Sequence, residues 1–283
     1  NAAGSPVSIA IGTPALSGSD AGNYSLGTYN TSTSANITPR LLTVNYTGVS
    51  RVYDGGISVN FTSSDNRLNN DAFDVVGTAD FLDKNVGNGK TINISGVYLS
   101  GAKAANYSVA STGSTSANIS ALAITVTAPT VNKVYDGTTD VPTGTATLSS
   151  LANGDAVGSA ALLSYDTRFV GSGNKTVTPS NLVIRDSGST DVTSNYAISY
   201  VADAASSITP KALTISGLSS QNKVYDGSTS AVVNGSAVLQ TSSAAGQGNA
   251  SDGKAYSGDD VSLSGLAVGR FNSKDRKSTR LNS

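Results

Sequence analysis

Aspartate is the residue type with which this chain could do chemistry. All 19 acidic residues are Asp, and His and Cys are both absent. Two Asp carboxylates in a cleft could hydrolyse a glycosidic bond if one of them kept a raised pKa. Grouped Asp side chains could bind calcium. The missing residue types exclude a Ser-His-Asp triad, a thiol nucleophile, a disulfide framework and the usual zinc sites.

The calcium hypothesis has candidates in two stretches of the chain. They are Asp65, Asp71, Asp74, Asp136 and Asp140. A calcium ion needs about six to eight closely grouped oxygens, and the chain has no Asp-x-Asp-x-Asp-Gly loop. A cleft for glycoside hydrolysis is uncommon in thin repeated modules. We therefore expect no metal, no cofactor, no catalytic residue and no enzyme activity.

Composition narrows the class of protein further. Charged residues make up 13% of the chain and the net charge is -1, so a basic surface for nucleic acid is not expected. Ser, Thr, Asn and Gly are abundant, and these residues favour turns over helices. The apolar residues fall in short alternating runs, which predicts an all-β fold.

Three short motifs recur at one long period. Tyr-Asp-Gly occurs three times, 82 and 90 residues apart, and Asn-Tyr recurs at three positions with nearly the same spacing. The Tyr-Asp-Gly copies are Tyr53-Asp54-Gly55, Tyr135-Asp136-Gly137 and Tyr225-Asp226-Gly227. The Asn-Tyr copies are Asn23-Tyr24, Asn106-Tyr107 and Asn195-Tyr196. A third phrase, Ile-Thr-Pro or Ile-Ser-Ala, precedes an apolar strand in each copy, so the chain is a tandem repeat.

The repeats predict five segments. Residues 1–39 are the C-terminal part of one repeat, 40–121 and 122–210 are full repeats, and 211–275 are a truncated repeat. The repeat pattern is lost at Arg276, and we interpret residues 276–283 as a non-native tail. The chain also lacks Met, which indicates an internal fragment of a longer protein.

Strand and turn signals fill each repeat. Leu42, Val44 and Tyr46 alternate with polar residues, as do Ile92 and Ile94, and this is the period of a half-buried strand. Turn residues follow about every ten positions, the spacing of a small sandwich. We expect tandem Ig-like β-sandwich domains that follow one another as beads in an extended rod.

The Tyr-Asp-Gly motif has a structural and a functional interpretation. As a turn, its Gly takes a positive φ, its Asp binds the downstream backbone and its Tyr packs its ring. As a ligand site, Asp and Tyr would contact sugars. We favour the turn, and we treat the Asn-Tyr pairs as structural motifs too.

Longer phrases around these motifs resemble a known family. They include Lys133–Thr139, Lys223–Thr229, Asp83–Lys90 and Ala35–Pro39, and together they resemble the YDG repeat domain of filamentous-haemagglutinin-like bacterial adhesins. The resemblance implies two-partner secretion through an outer-membrane transporter to the surface of a Gram-negative cell. It supplies no catalytic residue. Its implied function is a stalk or spacer that supports cell adhesion, with neighbouring repeats of the same protein as partners.

A rival hypothesis makes the repeats themselves adhesive. They would bind host glycan, mucin or each other through sheet edges and exposed aromatic residues such as Tyr29, Tyr98 and Tyr200. No surface aromatic residue outside the motifs clearly recurs between copies. The sequence therefore favours the stalk.

Overall fold

The computed structural model describes residues 2–241, 243–247 and 249–273. The expected all-β fold is confirmed, because strands dominate and the helical segments described are single 3-10 turns of three residues. These turns are Ala2–Gly4, Ala21–Asn23, Ala104–Asn106 and Thr193–Asn195. None of the helices described is long and apolar enough to cross a membrane. The tail predicted over 276–283 lies outside the described residues.

The strands follow the sequence repeats. Residues 1–39 contain β1 (Val7–Ala10) and β2 (Ser32–Ala35). Residues 40–121 contain β3 (Arg40–Leu41), β4 (Val44–Gly48), β5 (Arg51–Val52), β6 (Phe61–Asp65), β7 (Asp74–Phe81), β8 (Gly87–Ser100), β9 (Tyr107–Ser108) and β10 (Gly113–Ser120).

The second full repeat has a similar set of strands. It contains β11 (Leu122–Thr127), β12 (Asn132–Val134), β13 (Thr147–Leu148), β14 (Ala156–Ser159), β15 (Leu162–Tyr165), β16 (Gly171–Ser180), β17 (Val183–Arg185), β18 (Tyr196–Val201) and β19 (Asp203–Thr209). The last repeat contains β20 (Ile215–Ser216), β21 (Ser219–Ser220), β22 (Ser230–Ala231), β23 (Val233–Asn234), β24 (Val238–Leu239) and β25 (Gly269–Arg270).

Contacts divide the chain into two compact units. The first comprises Asn1–Ala123 with Leu151–Ala156 and Ile184–Ala197, and the second comprises Ile124–Ser150, Val157–Val183 and Ile198–Ser283. The first unit thus includes two segments of the second sequence repeat. The repeat boundaries inferred from the motifs mark segments of similar sequence. That each of these segments folds as a separate domain stays a prediction.

Each unit contains one four-stranded sheet of the same topology. The order is β5-β10-β8-β7 in the first unit and β12-β19-β16-β15 in the second. In both sheets the short strand before Tyr-Asp-Gly pairs parallel to the last strand of its repeat, and the other pairs are antiparallel. The parallel pair brings the motif to the end of the repeat, so the motif lies where the next repeat begins.

The cores are small and follow the alternation of the strands. In β8, Ile92 and Ile94 are buried while Thr91 and Asn93 are exposed, as period-2 patterning requires. A second cluster of the first unit joins Leu42, Phe73 and Tyr107. In the second unit the core cluster is Ala128, Tyr165, Val177 and Ile208.

Candidate functional site

The Tyr-Asp-Gly motif forms the same turn three times. Its glycines have φ of +86° at Gly55, +80° at Gly137 and +75° at Gly227, a region that suits glycine. In each copy the Asp Oδ1 accepts a 2.9 Å hydrogen bond from the backbone N–H two residues on. These pairs are Asp54 with Gly56, Asp136 with Thr138 and Asp226 with Ser228. The motif is therefore an Asx-type turn in all three places.

A cation two residues before the motif tyrosine binds each turn. The ammonium of Lys133 lies 2.8 Å from Asp136 Oδ1 and donates 2.8 Å hydrogen bonds to the carbonyl oxygens of Thr138 and Asp140. Lys223 repeats this with Asp226 at 2.7 Å. In the first copy Arg51 takes the place of the lysine, pairing with Asp54 and donating to the carbonyl of Gly56. The cation satisfies carbonyl groups that the turn leaves unpaired.

This cation also lowers the pKa of the motif carboxyl. The Lys223 ammonium, followed by the Ser228 N–H, lowers the pKa of Asp226 to about 2. Burial opposes the shift at Asp136, but the hydrogen bonds from Lys133 and Thr138 outweigh it and its pKa is also lowered. These carboxylates are therefore ionised turn elements and not proton donors at neutral pH.

The motif tyrosine reaches into the next repeat. The hydroxyl of Tyr53 donates a 2.8 Å hydrogen bond to Asp155 Oδ2, and the hydroxyl of Tyr135 donates a 2.8 Å bond to Asp259 Oδ1. Both accepting carboxylates follow a glycine in the first half of the following repeat. The first contact lies within the first compact unit and the second within the second unit. Tyr225, in contrast, is 66% exposed.

The accepting aspartate sits in a turn of its own, which also recurs three times. Its N–H donates to the carbonyl three residues earlier, at 2.9 Å for Asp71 and 3.1 Å for both Asp155 and Asp259. This backbone bond fixes the carboxylate at the corner of a β-turn. We name these turns the acceptor turns, Leu68–Asp71, Ala152–Asp155 and Tyr256–Asp259.

The Asn-Tyr tyrosine closes the acceptor turn within its own repeat. Tyr107 donates to Asp71 Oδ2 at 2.7 Å, and Tyr196 donates to Asp155 Oδ2 at 2.7 Å. Each hydroxyl also accepts a backbone N–H of the turn, from Leu68 and from Ala152. Asp155 therefore accepts two tyrosine hydroxyls, one from each repeat, and the two rings pack edge to face with centroids 5.5 Å apart.

The Asn of the same pair binds the preceding repeat. The Asn195 side chain is buried, and its Oδ1 accepts the N–H of Val86 at 2.9 Å while its Nδ2 donates to Asn85. Asn106 likewise accepts the N–H of Ala2 at 3.1 Å. The Lys84 ammonium adds a 2.8 Å ion pair with Asp186. Tyr24, in the first copy of the pair, is exposed.

The tyrosines of this contact are held in their neutral form. Burial, followed by the hydrogen bond to Asp155, raises the pKa of Tyr53 to about 12. The same two causes raise the pKa of Tyr196 further. Burial and Asp259 raise the pKa of Tyr135. None of these three hydroxyls is activated as a nucleophile or general base, and their hydrogen bonds make the arrangement a structural link between repeats.

The structure separates the calcium candidates. Asp65 pairs with Arg67 at 2.6 Å, Asp71 accepts Tyr107, and Asp136 pairs with Lys133. Among the described residues no group of three or more acidic side chains is arranged to hold a metal ion. The exposed tyrosines of the rival hypothesis, Tyr29, Tyr98 and Tyr200, are at least partly accessible.

Sequence reasoning missed two members of the contact, Asp155 and Asp259. They lie 102 and 124 residues from their tyrosines, and insertions change their distance from Tyr-Asp-Gly in each copy. The signal present was a Gly-Asp pair, Gly154-Asp155 and Gly258-Asp259, placed shortly before an apolar residue. It becomes meaningful only once the acceptor turns are aligned.

These features define a tandem-repeat all-β protein whose successive repeats are joined by a repeated polar contact. The sequence model of the YDG domain matches residues 38–116, 120–205 and 209–279. The matches cover most of the chain, which therefore belongs to the YDG domain family. The comparisons with curated proteins and with solved structures found no match.

Proposed function

We propose that these repeats are the stalk or spacer of a secreted bacterial surface adhesin and support cell adhesion by separating an adhesive region from the cell. The observation that carries this proposal is the tyrosine-to-carboxylate contact repeated at two successive junctions, Tyr53 with Asp155 and Tyr135 with Asp259. A junction made the same way each time lets repeats be added in series. It also limits bending, because the Tyr53 side chain is buried.

The finer features of the proposal have two sources. The spacing of strands and turns suggests that each repeat is a small Ig-like sandwich. The family resemblance suggests an extended rod of repeats and export through an outer-membrane transporter, by two-partner secretion, to the surface of a Gram-negative cell. The contact residues fit such a role, because they need no cofactor and form within the chain itself. Neighbouring repeats of the same protein are the proposed partners.

The experiment that tests the stalk measures shape and binding on the same protein. The purified chain is studied by small-angle scattering and is applied to a glycan array and to cultured epithelial cells. A stalk gives an elongated particle and no saturable binding. A compact particle with saturable glycan or cell binding contradicts it.

The alternative function is direct adhesion, in which the repeats bind host glycan, mucin or each other. Tyr98 favours it, because this aromatic side chain on β8 is 56% exposed and aromatic rings are common in sugar and protein contacts. Saturable binding that is lost in Tyr98→Ala and kept in Tyr29→Ala would support this alternative.

A further inference from the structure

In each full repeat a strand near the start lies beside the last strand and runs in the same direction. In the first unit β5 pairs parallel with β10, with Arg51 opposite Ile119 and Val52 opposite Ser120. In the second unit β12 pairs parallel with β19 along the whole of Asn132–Val134. Strands β10 and β19 end their repeats, so each repeat is bonded start to end within one sheet.

Backbone hydrogen bonds hold both ends of the pair in the second unit. The N–H of Ser207 on β19 donates to the carbonyl of Val131 at 3.1 Å, just before β12 begins. The N–H of Tyr135 donates to the carbonyl of Thr209 at 2.9 Å, just after β12 ends. In a parallel pair such bonds are evenly spaced along the strands. The bonds between β12 and β19 therefore extend over the full length of the pair.

Side chains add further bonds between the same two strands. The Ser206 Oγ on β19 accepts the N–H of Val131 at 2.9 Å and donates to Asp203 Oδ2 at 2.6 Å. The hydroxyl of Thr130 donates to Asp203 Oδ1 at 2.7 Å. Ser206 is fully buried, so water does not compete for these bonds.

The first unit repeats this geometry with two short parallel pairs. Besides β5 with β10, strand β3 pairs parallel with β9, where Arg40 lies opposite Tyr107. The N–H of Tyr53 donates to the carbonyl of Ser120 at 2.8 Å. This bond is the counterpart of the Tyr135 bond in the second unit. The arrangement thus belongs to the repeat and not to one copy of it.

Tension along the chain would pull the two strands of such a pair in opposite directions. It reaches β12 from its N-terminal side and β19 from its C-terminal side, because the chain enters the repeat before β12 and leaves it after β19. Since the strands are parallel, each is pulled along its own axis and away from the other. The strands then separate only by sliding, which loads all the bonds between them at once.

We propose that this parallel pair is a mechanical clamp that keeps a repeat folded when the chain is pulled lengthwise. Forced unfolding is governed by the unfolding rate, and a group of bonds that must break together makes this rate low. The repeats thereby gain a further function, which is to bear tensile load. This inference stands independently of the stalk function, because it concerns only the response of the fold to force.

Pulling the same folded protein in two directions tests the clamp. The chain has no Cys, so two engineered cysteines in the full-length chain are unique attachment points for DNA handles. Thr130→Cys with Ala212→Cys pulls β12 and β19 from opposite ends and shears the pair. Thr130→Cys with Ala202→Cys pulls both strands from the same end and peels them apart. Both alanines are exposed.

Optical tweezers at one loading rate measure the rupture force in each direction. We expect a force roughly twofold or more higher in the shearing direction, because the evenly spaced bonds of the pair break together there and one after another in the peeling direction. Equal forces in the two directions, or a higher force on peeling, overturn the proposal. This comparison needs no variant that weakens the fold.

Two further variants, pulled in the shearing direction, separate the clamp from overall stability. Ser206→Ala removes a bond between the two strands and should raise the unfolding rate at constant force by about tenfold. Val177→Ala removes a buried core side chain of β16, outside the pair, and should raise this rate less. Urea unfolding confirms that Val177→Ala loses at least as much equilibrium stability. An effect of Val177→Ala on the unfolding rate as large as that of Ser206→Ala also overturns the proposal.

Discussion

The hydroxyl of Tyr53 donates a 2.8 Å hydrogen bond to the carboxylate of Asp155, which lies 102 residues further along the chain in the next repeat. Tyr225 belongs to the same Tyr-Asp-Gly motif, yet its ring is exposed. The local turn is nevertheless the same at both positions, since Asp54 and Asp226 make the same backbone bond. The motif thus has two separable roles, a local turn and a link to the following repeat.

Replacement of the motif tyrosine tests the link. Tyr53→Ala should lower the free energy of unfolding of the first unit by about 3–5 kcal/mol, because a fully buried aromatic ring and its hydrogen bond are lost. Tyr225→Ala is the matched control and should change stability by less than about 0.5 kcal/mol. Urea unfolding followed by circular dichroism measures both. Similar losses in the two variants would mean that the tyrosine stabilises only its own turn.

The motif glycines allow the same comparison without removing a side chain. A Cβ at Gly55 would lie close to the carbonyl oxygen of Asn153 in the next repeat, whereas one at Gly227 would meet no atom within 4 Å. Both glycines have positive φ, so Ala is strained in each. We expect Gly227→Ala to cost about 1 kcal/mol and Gly55→Ala about 2–4 kcal/mol.

Thermal unfolding of the two glycine variants beside the unmodified chain measures this difference. The strain of the turn itself is common to both, so any excess in Gly55→Ala reports the contact with Asn153. An equal drop in melting temperature would show that the neighbouring repeat moves aside without cost.

Local features of the fold could be predicted from the sequence. The alternation around Ile92 and Ile94 predicts a strand because burial on one side needs every second residue. The features that could not be predicted depend on contacts between repeats. Asp155 carries no local signal that it accepts Tyr53, since the pairing depends on how segments 151–156 and 184–197 pack on the first repeat. Loop insertions shift such partners along the chain without altering their position in space.

The buried cation of the turn gives a third prediction. Lys133→Met leaves Asp136 and the carbonyls of Thr138 and Asp140 without their shared partner, and should cost about 2–4 kcal/mol in the second unit. Lys133→Arg should cost less than about 1.5 kcal/mol, because Arg51 fills the equivalent position in the first repeat. Urea unfolding of the three proteins measures this. Equal losses of unfolding free energy in Lys133→Arg and Lys133→Met would mean that the stability of the turn depends on the shape of the ammonium group and not on its charge.

Alkaline pH should weaken the contact between the first two repeats. Burial and the hydrogen bond to Asp155 raise the pKa of Tyr53 from 10.0 to about 12. A raised tyrosine pKa in the folded state contributes stability that is fully present below pH 10 and is lost as pH rises from 10 towards 12. The urea midpoint of the first unit should therefore fall between about pH 9 and about pH 11. Tyr53→Phe removes the hydroxyl and its hydrogen bond to Asp155, so this variant should be less stable near neutral pH. Because it has no hydroxyl to ionise at this position, it should lose less stability across the same pH range. A fall as steep in Tyr53→Phe as in the unmodified chain would place the alkaline sensitivity elsewhere. The difference in tyrosinate absorbance between the two proteins reports the ionisation of Tyr53 itself.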